Sequence, residues 1–108
     1  RSTPQATVNG YFHALEQQNA GLAWQYVSAS RNNPSSQSAF DASLASDDAH
    51  YGKALNFSIQ QEETDNAGHY TATVSVTRAN APNAPLTYIV SVTQYDGSNW
   101  LIDSASNQ

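Results

Sequence analysis

The sequence predicts an α+β fold in which three N-terminal helices pack on a curved, four-stranded antiparallel sheet. Three observations lead to this fold. Apolar residues in the first half recur every three or four positions, as they do in helices. After Gly52 the spacing becomes two, as in strands with one buried face. Short connections between the strands favour antiparallel neighbours. The 108 residues form a single domain, 1–108, with helices over about 4–48 and the sheet over about 53–105.

The first helix is predicted to begin just after Thr3. Thr3 is a good N-cap, and Ser2 with Gln5 offers an alternative capping box. Pro4 suits the first helical position because its missing N–H would have no partner there. The residues expected to be buried are Val8, Phe12 and Leu15. Gly10 costs about 1 kcal/mol of helix propensity relative to Ala, so we expect it to allow another backbone to come close.

Two further helices follow, separated by polar breaks. Residues 19–21 interrupt the first pattern, and a short second helix is predicted with its apolar side formed by Leu22, Ala23, Tyr26 and Val27. Residues 30–36, which include Arg31-Asn32-Asn33-Pro34, have the composition of a loop. A third helix is predicted to begin at Ser35 or Ser36. Its apolar pair is Phe40 and Leu44, and its pattern decays at Asp47-Asp48.

Four strands are predicted from alternating apolar residues. Their apolar positions are Leu55, Phe57 and Ile59, then Tyr70, Ala72, Val74 and Val76, then Tyr88, Val90 and Val92, and finally Trp100 and Ile102. Residues 64–68 form a turn, and Asp96-Gly97 favours a tight hairpin. Pro82 and Pro85 cannot donate to a ladder, which predicts that residues 81–85 lie outside any central strand. The alternate positions are rich in Thr and Ser and are expected to face water.

Composition restricts the partners and suggests a compartment. The net charge of −5 argues against nucleic acid and anionic membranes, because both require a basic surface. No apolar run approaches the length of a membrane span. Ser, Thr, Asn and Gln make up 41 of the 108 residues, one residue is Lys, and Cys is absent. We interpret this surface as that of an exported bacterial protein, extracytoplasmic and secreted or surface-anchored. Because the chain opens Arg-Ser-Thr-Pro without Met, we expect that a signal peptide or lipid anchor preceded it.

Two segments resemble the nuclear transport factor 2-like superfamily, which has a cystatin-like cone fold. Residues 4–28, with Tyr11-Phe12-His13-Ala14-Leu15 and then Gly21-Leu22-Ala23-Trp24, resemble its opening helix pair. The sequence over 88–102, with Asp96-Gly97 between two strands, resembles its closing hairpin. Within the superfamily the chain is most similar to small domains of exported bacterial lipoproteins of unknown function and to the N-terminal domain of penicillin-binding transpeptidases. The resemblance implies a conical pocket and a spacer or binding role.

The same superfamily contains isomerases and dehydratases that place Asp, His and Tyr inside the cone. In this chain His13 falls at the edge of the apolar stripe, and Asp41 occupies an early turn of the third helix. Asp103 should point away from the core if Ile102 points inward, although a one-residue bulge would reverse this. The short acidic runs lack the spacing of a calcium loop, and the three histidines lack that of a zinc site. We therefore predict no catalytic set, no metal and no cofactor.

Aromatic residues are the most suggestive feature for binding. The candidates for a ligand pocket are Tyr11, Tyr26, Tyr70, Tyr88 and Trp100. Such side chains line sites for sugars or small apolar ligands, but they also build the core of a domain with few aliphatic residues. Strand alternation directs Tyr70, Tyr88 and Trp100 inward and Tyr95 outward.

These observations favour a non-enzymatic accessory or binding module that recognises a small apolar ligand, a sugar or a cell-envelope protein. One alternative is an isomerase- or dehydratase-like enzyme, with Tyr11, His13 and Asp41 or Asp103 as its candidate residues. Another is a dimerisation or protein-interaction domain, a homodimer included, that uses the Thr- and Ser-rich sheet face.

Overall fold

The helices precede the sheet along the chain in the computed structural model, which describes residues 2–30, 35–97 and 99–108. The helices are α1 (Pro4–Glu16), α2 (Ala20–Trp24) and α3 (Gln37–Tyr51). The strands are β1 (Ala54–Thr64), β2 (His69–Arg78), β3 (Ala81–Tyr95) and β4 (Asn99–Asn107). They form one open antiparallel sheet in the order β1-β2-β3-β4. This part of the chain therefore confirms the predicted α+β fold with three helices and four strands.

Helix α1 lies across the buried face of the sheet and begins as predicted. Thr3 Oγ1 accepts a hydrogen bond from the Ala6 N–H at 3.1 Å, and Pro4 is the first helical residue. Thr7 is fully buried, and its hydroxyl donates to the Trp100 carbonyl at 2.7 Å, which ties the helix to β4. The buried apolar residues of this helix include Val8, Tyr11, Phe12, Ala14 and Leu15.

The role expected for Gly10 needs correction, because a ring lies there instead of a backbone. A Cβ atom on Gly10 would lie 2.3 Å from Cζ of Tyr26, well inside van der Waals contact. The missing side chain therefore makes room for the Tyr26 ring against α1.

The second helix is shorter than predicted, and its last apolar residue belongs to a different interaction. Helix α2 ends at Trp24, and Val27 forms an isolated parallel bridge with Ile102. Ser28 N–H donates to the Ile102 carbonyl at 2.8 Å, and Ile102 N–H donates to the Tyr26 carbonyl at 2.8 Å. Since β4 is an edge strand, this segment satisfies ladder groups that would otherwise be unpaired.

Helix α3 begins with Ser36 as its N-cap, as predicted, but it extends past Asp48 to Tyr51. Gly52 ends it with φ +84° and ψ 171°, a conformation that only glycine adopts readily. Phe40 is its fully buried side chain and packs near Tyr11 and Trp24. The loop expected over residues 31–34 lies outside the described residues. None of the helices in the described ranges is long and apolar enough to span a membrane.

The alternation predicted for the strands holds in β2 and β3 and fails at one position of β1. Tyr70, Tyr88 and Ile102 are buried against the helices. Leu55 was expected on the same face but is 46% exposed. A register shift between Ala54 and Asn56 makes Leu55 an extra residue on its strand, so the alternation begins only after it.

The prediction that residues 81–85 lie outside a central strand is wrong in its bounds. Strand β3 is central and includes both prolines. Ala81 pairs with Arg78, and the next pair joins Leu86 to Val76, so residues 82–85 lie in a register shift without direct partners. The missing N–H groups of Pro82 and Pro85 therefore cost the sheet no ladder bond.

Candidate functional site

A cleft of about 80 Å³ lies between α3 and the buried face of the sheet, beside β4. Its apolar wall is formed by Leu15, Val27, Phe40, Leu44, Ile102 and Ala105. Its polar lining consists of Tyr11, Tyr88, Arg78 and Asp47, together with Ser43, Ser104 and Ser106. Small-molecule pockets usually enclose about 300–1,000 Å³, so this cleft has room for one small group of a ligand.

Arg78 organises the polar side of the cleft. It is 3% exposed and makes three hydrogen bonds, to Asp48 Oδ1 at 2.9 Å, to the Gly52 carbonyl at 3.2 Å and to the Tyr88 hydroxyl at 2.8 Å. Its Nε is buried without a partner among the described residues. A buried guanidinium needs an acceptor with charge, and Asp48 supplies it from the last turns of α3.

The two phenols of the cleft remain protonated and can donate hydrogen bonds. Burial raises the pKa of the Tyr11 hydroxyl far above its ordinary value, and Tyr88 and Asp47 raise it further. Burial also raises the pKa of Tyr88, although the hydrogen bond from Arg78 opposes this. The Tyr88 oxygen accepts from Arg78, so its own proton is directed elsewhere.

Asp47 is the acidic group of the cleft. It is half-buried, and burial raises the pKa of its carboxyl from the ordinary value, while the neighbouring Arg78 partly offsets this. Tyr11 and Tyr88 both interact electrostatically with Asp47, which places the three groups in one neighbourhood. The cleft therefore combines two O–H donors, one carboxyl group and an apolar wall, a combination suited to a small group with polar and apolar sides.

Of the five aromatic residues predicted for a pocket, Tyr11 and Tyr88 line this cleft and three lie elsewhere. Tyr26 packs on Gly10. Tyr70 is 1% exposed in the core, and its hydroxyl donates to Glu62 Oε1 at 2.7 Å. Trp100 is half-buried, and its carbonyl accepts the Thr7 hydroxyl. Tyr70 belongs to the hydrophobic core, and the side chains of Tyr26 and Trp100 pack against that core.

The structure does not bring His13, Asp41 and Asp103 together in the cleft. The His13 side chain is 67% exposed, its Nδ1 lies 3.0 Å from Glu16 Oε1, and its ring lies 5.3 Å from the ring of Phe57 in β1. Asp41 lies beside a separate cavity of about 120 Å³ between α3 and the turn after α1. Its Oδ1 is buried without a hydrogen bond to any described residue.

Asp103 lies on the outer face of the sheet, opposite the helices. It is the extra residue of a bulge, because Ile102 pairs with Val92 and Ser104 with Ser91. Its carboxylate nevertheless faces outward and accepts hydrogen bonds from the Thr93 hydroxyl and, at 2.6 Å, from the Tyr95 hydroxyl. The bulge leaves Ile102 inward and returns Ala105 to the cleft side.

Arg78 and Asp47 were not predicted as cleft residues, although the sequence contains a signal for each. Arg78 continues the alternation of Tyr70, Ala72, Val74 and Val76, so strand geometry alone directs it inward. Asp47 lies seven residues after Phe40, about two helical turns along the same face. A charged residue at a position whose pattern demands burial is the feature that identifies this site.

Among the described residues, no cluster of three or more His, Asp or Glu side chains is arranged to hold a metal ion. Comparisons with protein families, with curated proteins and with solved structures find no match for this chain.

Proposed function

We propose that this protein is a non-enzymatic, extracytoplasmic binding module of an exported or surface-anchored bacterial protein, and that the cleft beside α3 is its binding site. The observation that carries the proposal is the convergence of two buried phenols, Tyr11 and Tyr88, with Asp47 in a cleft that also has an apolar wall. The small volume favours recognition of one group at the end of a larger ligand, a sugar or a cell-envelope component. The polar, cysteine-free composition supports the extracytoplasmic location.

A conical fold of the nuclear transport factor 2-like type belongs to the same proposal. It is supported by α1 lying against β1, β3 and β4 and by the antiparallel order of the four strands. In such a fold a ligand would enter the space under the helices, and the cleft between α3 and the sheet supports this part of the proposal.

The direct test is a fragment titration followed by amide chemical shifts. We expect small polar fragments to shift the amides of Ser43, Asp47 and Ala105, which surround the cleft. A matched pair of variants sharpens the test. Ser43 and Ser46 are both exposed on α3, but only Ser43 lines the cleft. Ser43→Tyr should abolish these shifts, and Ser46→Tyr should leave them unchanged. Shifts confined to the outer sheet face around Thr93 and Asp103 would contradict the proposal and favour an interaction domain.

An isomerase- or dehydratase-like enzyme is the second candidate, and Asp47 is the observation that favours it. A carboxyl group whose pKa burial raises, beside two phenols, has the composition of an acid–base site. If the chain is such an enzyme, it should convert unsaturated or hydroxylated ketones with an ultraviolet absorbance change that Asp47→Asn abolishes. If ligands that shift the cleft amides are not turned over, the enzyme is ruled out and the binding module is retained.

A further inference from the structure

The charges around the cleft select against an anionic ligand group. Arg78 carries one positive charge, which the Asp48 carboxylate balances at 2.9 Å. The Asp47 carboxylate adds a second negative charge, which the attraction of Arg78 and then of His50 partly offsets. A carboxylate or phosphate entering the cleft would meet this negative charge at short range in a partly desolvated place.

The hydrogen-bonding groups of the cleft favour a ligand group that accepts hydrogen bonds. The Tyr11 hydroxyl makes no hydrogen bond to a described residue, and only burial and charges act on its pKa. The Tyr88 oxygen accepts from Arg78, and its hydroxyl proton makes no hydrogen bond to a described residue. Both hydroxyl protons can be donated to an acceptor on the ligand, which an ammonium group lacks. A ligand that accepts both protons gains hydrogen bonds that an ammonium ion cannot make.

We propose that the group bound in the cleft is a neutral acetamido group, as in an N-acetylated amino sugar. Its carbonyl oxygen has two lone pairs for the Tyr11 and Tyr88 hydroxyls, and its N–H donates to Asp47. Its methyl group packs on the apolar wall near Phe40 and Leu44. The proposal rests on the proposed function, and it names the chemical class of ligand for that site. The apolar wall favours an acetamido group over an unsubstituted sugar hydroxyl, because only the acetamido group has a methyl group to pack on it.

The test compares three sugars that differ at a single substituent. N-acetylglucosamine, glucosamine and glucose are titrated separately into the full chain, and the amide shifts of Ser43, Asp47 and Ala105 are followed. We expect saturable shifts with N-acetylglucosamine and at least tenfold weaker responses with glucosamine, which is cationic, and with glucose. N-methylacetamide and acetate form a second comparison. Binding of N-methylacetamide would show that the amide suffices without the sugar, and it supports the proposal.

Variants assign the hydrogen bonds. Tyr11→Phe and Tyr88→Phe should each weaken N-acetylglucosamine about fivefold, the effect of one hydrogen bond to a neutral group. Tyr95→Phe removes a phenol from the outer face and should change nothing. Asp47→Asn retains an acceptor oxygen and should keep the affinity within about twofold, whereas its affinity for acetate should rise. If Tyr88→Phe does not fold, Tyr11→Phe and Asp47→Asn still decide the question.

Two results separate the inference from the function it rests on. If glucosamine or acetate shifts the cleft amides more strongly than N-acetylglucosamine, the acetamido assignment is overturned and the binding site stands. If none of the five compounds and no fragment shifts those amides, both the assignment and the proposed function fail.

Discussion

Arg78 Nη1 lies 2.9 Å from Asp48 Oδ1 and joins the end of β2 to the last turns of α3. The arginine is 3% exposed, whereas the aspartate is partly open to solvent. Apart from Phe40, helix α3 has no fully buried side chain. This ion pair is therefore a principal attachment of α3 to the sheet, and it sets the position of α3, which carries Asp47 into the cleft.

Removing Asp48 alone should cost more stability than removing both Asp48 and Arg78. Asp48→Ala leaves the Arg78 charge buried without its closest carboxylate, and we expect a loss of about 2 kcal/mol in the free energy of unfolding. Arg78→Met in the same chain removes the buried charge and should recover part of that loss. Urea unfolding of the wild type, both single variants and the double variant measures the coupling. A double variant that is less stable than Asp48→Ala would contradict this account of the pair.

Gly52 is predicted to be the glycine least tolerant of a side chain. Its φ of +84° with ψ 171° is available almost only to glycine, and a Cβ there would lie 2.7 Å from the Asn80 backbone nitrogen. Gly97 also has a positive φ, +78°, but its Cβ would meet nothing within 4 Å. We expect Gly97→Ala to cost about 1 kcal/mol from backbone strain alone. Gly52→Ala should cost about 3 kcal/mol, because strain and a backbone contact add. Equal losses in thermal unfolding would show that the contact with Asn80 relaxes freely.

The effect of Gly10→Ala on the free energy of unfolding should change sign when the Tyr26 ring is removed. In the wild type, Gly10→Ala forces the half-buried Tyr26 ring to move, since the new Cβ would lie 2.3 Å from Cζ. We expect this variant to be destabilised. In a Tyr26→Ala background the space is empty, and the same substitution should stabilise by up to about 1 kcal/mol through helix propensity. Chemical denaturation of the four proteins measures the cycle. A loss of the same size in both backgrounds would rule out the ring contact as the reason for glycine.

Local patterns predicted the elements well because capping and alternation depend on neighbouring residues. Thr3 and Ser36 begin their helices as expected, and Tyr70, Tyr88 and Ile102 face inward. Positions that depend on register were not predictable in the same way. The shifts at Leu55 and before Leu86 arise from the pairing of whole strands, which a single strand's sequence does not specify.

The cleft was only partly predictable for a related reason. Tyr11 and Tyr88 follow from helix and strand patterns as inward aromatic residues. Their meeting with Asp47 and Arg78 depends on how α3 crosses the sheet, which periodicity does not determine. Tyr26 and Trp100 are large aromatic residues like Tyr11, so the sequence does not distinguish the three. Tyr26 packs on Gly10 and Trp100 packs against the hydrophobic core, and both therefore lie outside the cleft.

Asp47 and Asp65 should give opposite pH dependences. Burial raises the pKa of Asp47 in the folded state, so the fold binds its proton more tightly than the unfolded chain does. The free energy of unfolding then falls as the pH rises from below about 3.9, the unfolded value, through the raised value. Asp47→Asn removes this loss and should gain stability relative to the wild type over that window, retaining the gain at neutral pH.

Asp65 provides the matched control on the exposed β1–β2 turn. Hydrogen bonds from the backbone N–H groups of Ala67 and His69, and then from the His69 ring, lower the pKa of its carboxyl. Its stabilisation is present above the unfolded pKa and is lost as the pH falls through the lowered value. Asp65→Asn should therefore lose stability relative to the wild type as the pH rises through that range. Thermal unfolding of the three proteins between about pH 2 and 7, a range that spans the ordinary carboxyl pKa, measures both slopes. If the stability difference from the wild type changes with pH in the same direction for both variants, burial does not govern the pKa of Asp47.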